Sequence, residues 1–341
     1  MTHHTTGDTG DKEPGHGGET NAGGADTGPA PVPSATPGTR DVVRESPYSP
    51  DSPDTPDASR SEAAHASRTD AVACAGLTYT FGDTTAVDGL DLAVRDGEVF
   101  GLLGPNGAGK TTAIRCITTL LPVPAGTVRV FGHDAARERM AVRRLLGYVP
   151  QQLSADSGLT GRENVELFAR VFDVSRRERT ARVGQALEAV DLVDAADRLA
   201  KTYSGGMIRR LELAQALVSA PRLLILDEPT IGLDPIARTS VWEHINAVRA
   251  ATGMTVLVTT HYMDEADQYC DRVALMHRGR VRALGTPDEL RTGLAARRGA
   301  GDGERPTLED VFRDIAGSGL DDKSGDFSDV RSTRRTASRV G

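Results

Sequence analysis

Residues 104–111 read Gly104-Pro-Asn-Gly-Ala-Gly-Lys-Thr111 and are followed by Thr112. The spacing is G-x-x-x-x-G-K-[ST], a pattern with a definite physical use. Glycines let a backbone turn tightly and aim its N–H groups at an anion. Gly104, Pro105, Asn106, Gly107, Ala108 and Gly109 would therefore form a cradle for phosphate oxygens. A helix opening at Lys110 would add the positive end of its dipole. Lys110 would reach the β- and γ-phosphates of a nucleoside triphosphate, and the Thr111 hydroxyl would bind Mg²⁺. Thr112 completes the run of candidate nucleotide contacts.

Such a loop needs a metal-binding acid on a neighbouring strand. Leu223-Leu-Ile-Leu-Asp-Glu228 supplies one. Four apolar residues make a buried strand that ends in Asp227, at the carboxyl edge where ligands sit in α/β sheets. Asp227 is the candidate Mg²⁺ partner. Glu228, next in line, is better suited to polarising the attacking water as a general base. Together these residues describe a P-loop nucleoside triphosphatase. The sequence has no N-K-x-D guanine reader, which argues against a GTPase.

The elements that must hold these residues follow from periodicity. Ala73–Phe81 and Leu90–Val94 alternate like strands. Glu98–Leu103 is a buried-type strand running into the glycine-rich turn, and a helix pattern covers Thr112–Leu121. Strands are expected at Thr127–Phe131, Leu145–Val149, Leu223–Leu226 and Thr255–Val258. Helix-period apolar residues mark Glu163–Val171, Arg177–Val190 and Arg209–Leu217. Alternation of strand and helix implies an α/β domain with a largely parallel core.

The flanks differ from this middle. Nine of the 18 prolines lie in residues 1–70, among Gly, Ser, Thr and Asp. This extension has too little apolar area to offset the entropy of ordering and is expected to be disordered. His3 and His4 within it read as solvated. Residues 292–305 read as a linker, Leu308–Ile315 as a short helix, and 318–341 as a disordered tail. The expected domain division is thus 1–70, 71–290 with a helical block over about 155–205, 291–317, and 318–341.

Composition narrows the class further. The longest apolar runs are strand-sized, shorter than the roughly 18 residues of a membrane-spanning helix. Cys74, Cys116 and Cys270 show no metal or disulfide spacing, which fits a reducing compartment. The net charge of −8 argues against a nucleic-acid partner. Lysine occurs only at Lys12, Lys110, Lys201 and Lys323, while arginine supplies the other 36 basic residues, a bias associated with GC-rich genomes.

Tyr203-Ser-Gly-Gly-Met207 places Ser204 23 residues before Asp227, at the start of a helical run. This resembles the L-S-G-G-Q signature of the ABC ATPases. Ser204, Gly205 and Gly206 would offer a hydroxyl and N–H groups to a γ-phosphate at a helix N-terminus. Other landmarks of that family stand in the family's order. Tyr148-Val-Pro-Gln151 resembles the Q-loop, with Gln152 a rival for the Mg²⁺-sensing glutamine. Gly232-Leu-Asp234 resembles the D-loop, Thr259-Thr-His261 the strand that ends in the switch histidine, and Phe81 the aromatic on which adenine stacks. The resemblance covers about residues 72–290. Tyr203 and Met207 depart from the usual Leu and Gln, but the phosphate-facing atoms belong to Ser204 and the glycines.

The resemblance implies an ABC cassette: a parallel core sheet, an antiparallel β-subdomain and an inserted α-helical subdomain. It implies ATP and Mg²⁺ as ligands. Lys110, Gln151, Glu228 and His261 would be catalytic, and Thr111, Gln151 and Asp227 would hold the metal. It also implies two partners, an integral-membrane permease and a second copy whose Ser204 and Gly206 complete the site. The cassette would then sit peripherally on the cytoplasmic face of the membrane. Ser-Gly-Gly-Met with Arg209-Arg-Leu211, and Pro306-Thr-Leu-Glu-Asp-Val-Phe312, resemble the daunorubicin-resistance exporter branch, with drug efflux as the expected role. Two alternatives are a soluble ABC ATPase of translation or DNA repair and an importer motor. The single cassette, without Cys clusters or a long insertion, disfavours the soluble class.

Overall fold

A computed structural model describes residues 70–298 and 305–318. The expected disordered segments 1–70 and 318–341 lie outside the described residues, except for Asp70 and Ser318. The same is true of His3 and His4.

Two sheets organise the chain. The first has the order β2-β1-β4-β5, and each neighbouring pair in it is antiparallel. It is built from β1 (Asp70–Phe81), β2 (Thr84–Arg95), β4 (Val128–Val130) and β5 (His133–Asp134). The second is six-stranded, with the order β10-β9-β3-β8-β7-β6. Its members are β3 (Val99–Leu103), β6 (Leu146–Val149), β7 (Leu223–Asp227), β8 (Thr255–Thr260), β9 (Arg272–His277) and β10 (Arg280–Gly285). Strands β3, β6, β7, β8 and β9 pair in parallel, and β10 returns antiparallel on β9.

Alternation along the central strands explains why both faces are covered. Val99 and Leu103 of β3, Leu224 and Leu226 of β7, and Val256 and Val258 of β8 enter one apolar cluster. Phe100 and Leu102, Leu223 and Ile225, and Leu257 enter the other. Successive side chains point to opposite faces, so a strand buried on both sides reads as an unbroken apolar run. The parallel strands also gather their carboxyl ends on one edge, where Gly104, Glu228 and His261 follow β3, β7 and β8.

Helices fill the spaces between. Helix α1 spans Lys110–Ile117 and α2 spans Arg139–Leu145. Between β6 and β7 lie α3 (Gly161–Val171), α4 (Arg179–Glu188) and α5 (Gly205–Leu217). Thr160 and Glu163 form a reciprocal capping box that starts α3. Helix α6 (Pro235–Thr252) follows Asp234, whose side chain accepts from the Ala237 N–H, and α7 spans Met263–Tyr269.

One expectation is corrected. Residues 292–298 do not form a linker but complete α8, Pro287–Arg298. The Thr286 N–H donates to Glu289 Oε2 at 2.7 Å, and the Glu289 N–H donates to Thr286 Oγ1 at 3.1 Å. Asp288 and Glu289 open the helix while Arg297 and Arg298 close it, complementing its dipole. Leu294 is buried in the core, and Arg297 reaches Asp314 of α9 (Leu308–Ser318) at 3.3 Å. The single glycine at 293 weakens this helix without ending it.

Candidate active site

The turn after β3 is shaped so that only glycine fits at its ends. At Gly109 φ is 104°, and a Cβ there would lie 2.3 Å from the Ala86 carbonyl oxygen. At Gly104 it would lie 2.2 Å from that of Met276. Helix α1 begins at Lys110 with no side chain capping its first turn. Its free N–H groups and dipole suit an anion.

Lys110 is buried and folds back over the loop. Its Nζ donates to the carbonyls of Gly104 at 2.7 Å and Pro105 at 3.3 Å. It also pairs with Glu228 Oε1 at 3.1 Å. The other carboxylate oxygen, Glu228 Oε2, lies 3.1 Å from His261 Nδ1. Glu228 is thus gripped from two sides. Its backbone adopts φ 52°, a left-handed conformation rare for a residue with a side chain. The conformation is over-determined by two bonds from its N–H to Thr259, one to the carbonyl and one to Oγ1, both 3.0 Å. Strain of this kind costs on the order of 1–3 kcal/mol and is typical of functional sites.

Asp227, one residue earlier, is buried. Its Oδ1 accepts from Thr259 Oγ1 at 2.5 Å and Thr111 Oγ1 at 3.2 Å. Its Oδ2 is buried with no hydrogen-bond partner among the described residues. Burial pushes the carboxyl up from its ordinary value, against the opposing pull of Thr259, Thr111 and Lys110. A carboxylate oxygen with no partner, beside a threonine hydroxyl and a lysine ammonium, fits an oxygen-ligated divalent cation such as Mg²⁺.

A cleft of about 440 Å³ lies against these groups, lined by Phe81, Ala86, Pro105 to Thr112, Gln151 and Glu228. Asp227 and His261 are not among its lining residues; His261 lines a neighbouring cavity with Gly104, Pro105 and Asn106. Phe81 ends β1 and is 48% exposed, with its ring edge-on to Tyr79 at 4.9 Å. Gln151 lies in the loop after β6, where its carbonyl accepts from Arg209 Nη2 at 2.7 Å. The cleft lining does not include Ser204, Gly205 or Gly206. Ser204 caps α5, accepting from the Met207 N–H at 3.3 Å.

Two further contributors, Thr259 and Ala86, are not among the site residues expected from the motifs. Thr259 bonds both Asp227 and the Glu228 backbone, so it links the two acids. Its signal was its place two residues before His261 at the end of an apolar strand. Ala86 lines the cleft from β2 through backbone proximity, which leaves no mark on residue type.

Comparison with known proteins agrees with this geometry. The ABC transporter family model matches residues 87–231. The chain is 50% identical over 228 residues to the daunorubicin/doxorubicin resistance ATP-binding protein DrrA of Streptomyces peucetius, covering 67% of this chain and 69% of that protein. It is 41% identical over 255 residues to the Nod factor export ATP-binding protein I of Mesorhizobium japonicum, covering 74% of each. Among solved structures, an ATP-binding subunit of an ABC transporter superposes with TM-score 0.62 at 28% identity, covering 72% of this chain and 99% of that one. A dimeric ATP-binding cassette bound to ADP and Pi, in a post-hydrolysis state, gives 0.57 at 28% identity, covering 63% and 98%. The chain belongs to the ABC transporter family, as an ATP-hydrolysing, ATP-binding subunit.

Proposed function

We propose that this subunit is the motor of an exporter: two copies close on ATP and drive a separate membrane permease that expels drug-like or antibiotic cargo. The observation that carries the motor reading is Glu228, held between Lys110 and His261 beside Asp227. In the free protein Lys110 binds the would-be base. An arriving γ-phosphate competes for the ammonium and leaves the Glu228 carboxylate to accept a proton from water. His261 stays on the other carboxylate oxygen and orients it. Phe81 offers a face for adenine, and the α1 N-terminus receives the phosphates.

Thr111 and Asp227 would hold Mg²⁺, with Gln151 at the cleft wall. The ion neutralises charge on the phosphate oxygens when bound. Asp227 Oδ2, which has no hydrogen-bond partner among the described residues, is the atom that would ligate it.

Two observations support the assembly. Ser204, Gly205 and Gly206 lie outside the chain's own cleft, so their N–H groups and hydroxyl are available to ATP held by a second copy. Leu153, Leu167 and Val171 are exposed apolar side chains in the Q-loop and α3, where the helix ends of a permease would dock. The export direction rests on the named roles of the relatives, drug resistance and Nod factor export. No helix among the described residues is long and apolar enough to cross a membrane.

Light scattering tests the shared site. With ATP and Mg²⁺, the Glu228→Gln protein should sediment and elute as a dimer, while Lys110→Ala stays monomeric. A Glu228→Gln protein that binds ATP yet remains monomeric at high protein concentration would contradict closure on ATP.

A further inference from the structure

The first turns of α5 bear the phosphate-facing glycines, but the same helix carries a second set of polar residues turned inward. Arg209, Glu212 and Gln215 recur every three residues and are all buried. Packing alone would favour apolar groups here, because a buried ion pair is costly to desolvate and often no more stable than hydrophobic replacements.

Most of the bonds these residues make go to one irregular stretch of chain, to its main-chain groups and to the Ser154 hydroxyl. Arg209 donates to the Pro150 carbonyl at 3.1 Å and the Gln151 carbonyl at 2.7 Å, while pairing with Glu212 at 2.9 Å. Glu212 accepts from the N–H of Ser154 and from its hydroxyl at 3.2 Å. Gln215 donates to Asn164 Oδ1 at 3.1 Å, and Asn164 holds the Asp156 N–H and carbonyl at 2.8 and 2.9 Å. Residues 150–156 belong to no helix or strand, so these side chains satisfy main-chain groups that secondary structure would otherwise serve.

We infer that Arg209 and Glu212 are positioning residues: they tether the loop carrying Gln151 to the helix that presents Ser204 and Gly206. A shift of α5 against the core is then transmitted to Gln151 at the cleft wall. The state of the phosphate-facing turn in one site thereby adjusts the water- and metal-facing side chain of the other. The tether grips backbone groups of Pro150, Gln151 and Ser154 and, among the loop's side chains, the Ser154 hydroxyl.

The inference rests on the assignment of Gln151 to the nucleotide site, and a mutant cycle separates the two. The full-length chain is compared as wild type, Gln151→Ala, Arg209→Met/Glu212→Leu, and the triple variant. The double variant keeps volume and removes the buried charges together but releases the Pro150, Gln151 and Ser154 main-chain groups, so its Tm should fall while a single cooperative unfolding transition remains. Its KM for ATP should stay within about threefold while kcat falls about 10- to 100-fold, with a higher Mg²⁺ requirement. On the Gln151→Ala background the same pair of changes should add less than about twofold.

A double variant with wild-type kcat and Mg²⁺ dependence, beside an impaired Gln151→Ala, overturns the tether and leaves the Gln151 assignment standing. Equal losses on both backgrounds also overturn it, since they describe a general structural defect. An unimpaired Gln151→Ala overturns the assignment and the tether together. Should the double variant fail to fold, Glu212→Asp keeps the charge but shortens the reach to Ser154. It is then held to the same criterion of non-additivity.

Discussion

Replacing Glu228 by Gln should lower ATP turnover by at least about 100-fold while leaving nucleotide binding in place. The two side chains have the same shape, so the amide oxygen can still accept from Lys110, 3.1 Å away in the native protein. What is lost is the negative charge and the capacity to take a proton. Removing a positioned general base costs about 10²–10⁴ in rate. That corresponds to about 3–5 kcal/mol in the barrier, at 1.36 kcal/mol per factor of ten. Binding should hold or tighten, because Lys110 is no longer neutralised by a carboxylate and its ammonium turns more readily to phosphate. The assay is phosphate release at saturating ATP and Mg²⁺, paired with titration of a fluorescent ATP analogue. A kcat within tenfold of wild type would refute the assignment of Glu228 as the base. A joint loss of binding and turnover would show instead that the carboxylate is needed to build the site.

Asp227→Asn should raise the stability of the nucleotide-free protein at neutral pH and abolish the added stabilisation from ATP with Mg²⁺. Burial lifts the Asp227 pKa, so its contribution is most favourable when protonated at low pH and is lost as pH rises through the elevated value. The stability gap between variant and wild type, measured by thermal shift, should therefore widen as pH rises from the ordinary carboxylate range towards neutral; a gap independent of pH would contradict this. Leu294→Ala should cost about 2–5 kcal/mol in denaturant unfolding, because Leu294 is fully buried in α8, and a cost below about 0.5 kcal/mol would restore the linker reading. The three cysteines are buried, with burial pushing Cys74 to about 12 and Cys116 to about 11 and raising Cys270 as well. A thiol reagent at about pH 8 should label none of them in the native protein and all three after unfolding; fast native labelling would show an opening absent from this fold.

The chemistry of the cleft was readable because each part is tied to a residue type at a fixed offset. Gly104 to Thr111 is a backbone shape that only glycine allows, and Asp227 and Glu228 end an unmistakably buried strand. The bonds that make the site a unit were not readable. Lys110 to Glu228 and Glu228 to His261 join residues more than 30 apart in sequence or on separate strands, and only the sheet order β3-β8-β7 brings them together. Strands β9 and β10 escaped because Arg272, Arg280 and Arg282 break the apolar pattern at exposed or half-buried positions. Helix α8 escaped because an Ala-Arg-Gly composition resembles a linker until its cap and its one buried leucine are placed. The sequence marks α5 only as a helical run, with no sign that Arg209, Glu212 and Gln215 turn inward. That direction becomes visible only when the Q-loop backbone lies against the helix.

The most direct test of the exporter reading is recovery of the tagged, full-length subunit from gently solubilised native membranes, with its partners identified by mass spectrometry. An exporter motor should bring down a polytopic permease in near-stoichiometric amount, and the Glu228→Gln variant should lose transport but not that complex. Recovery of ribosomes or DNA-repair proteins, with the subunit absent from the membrane fraction, would leave an ATPase in place and contradict its role as a transport motor.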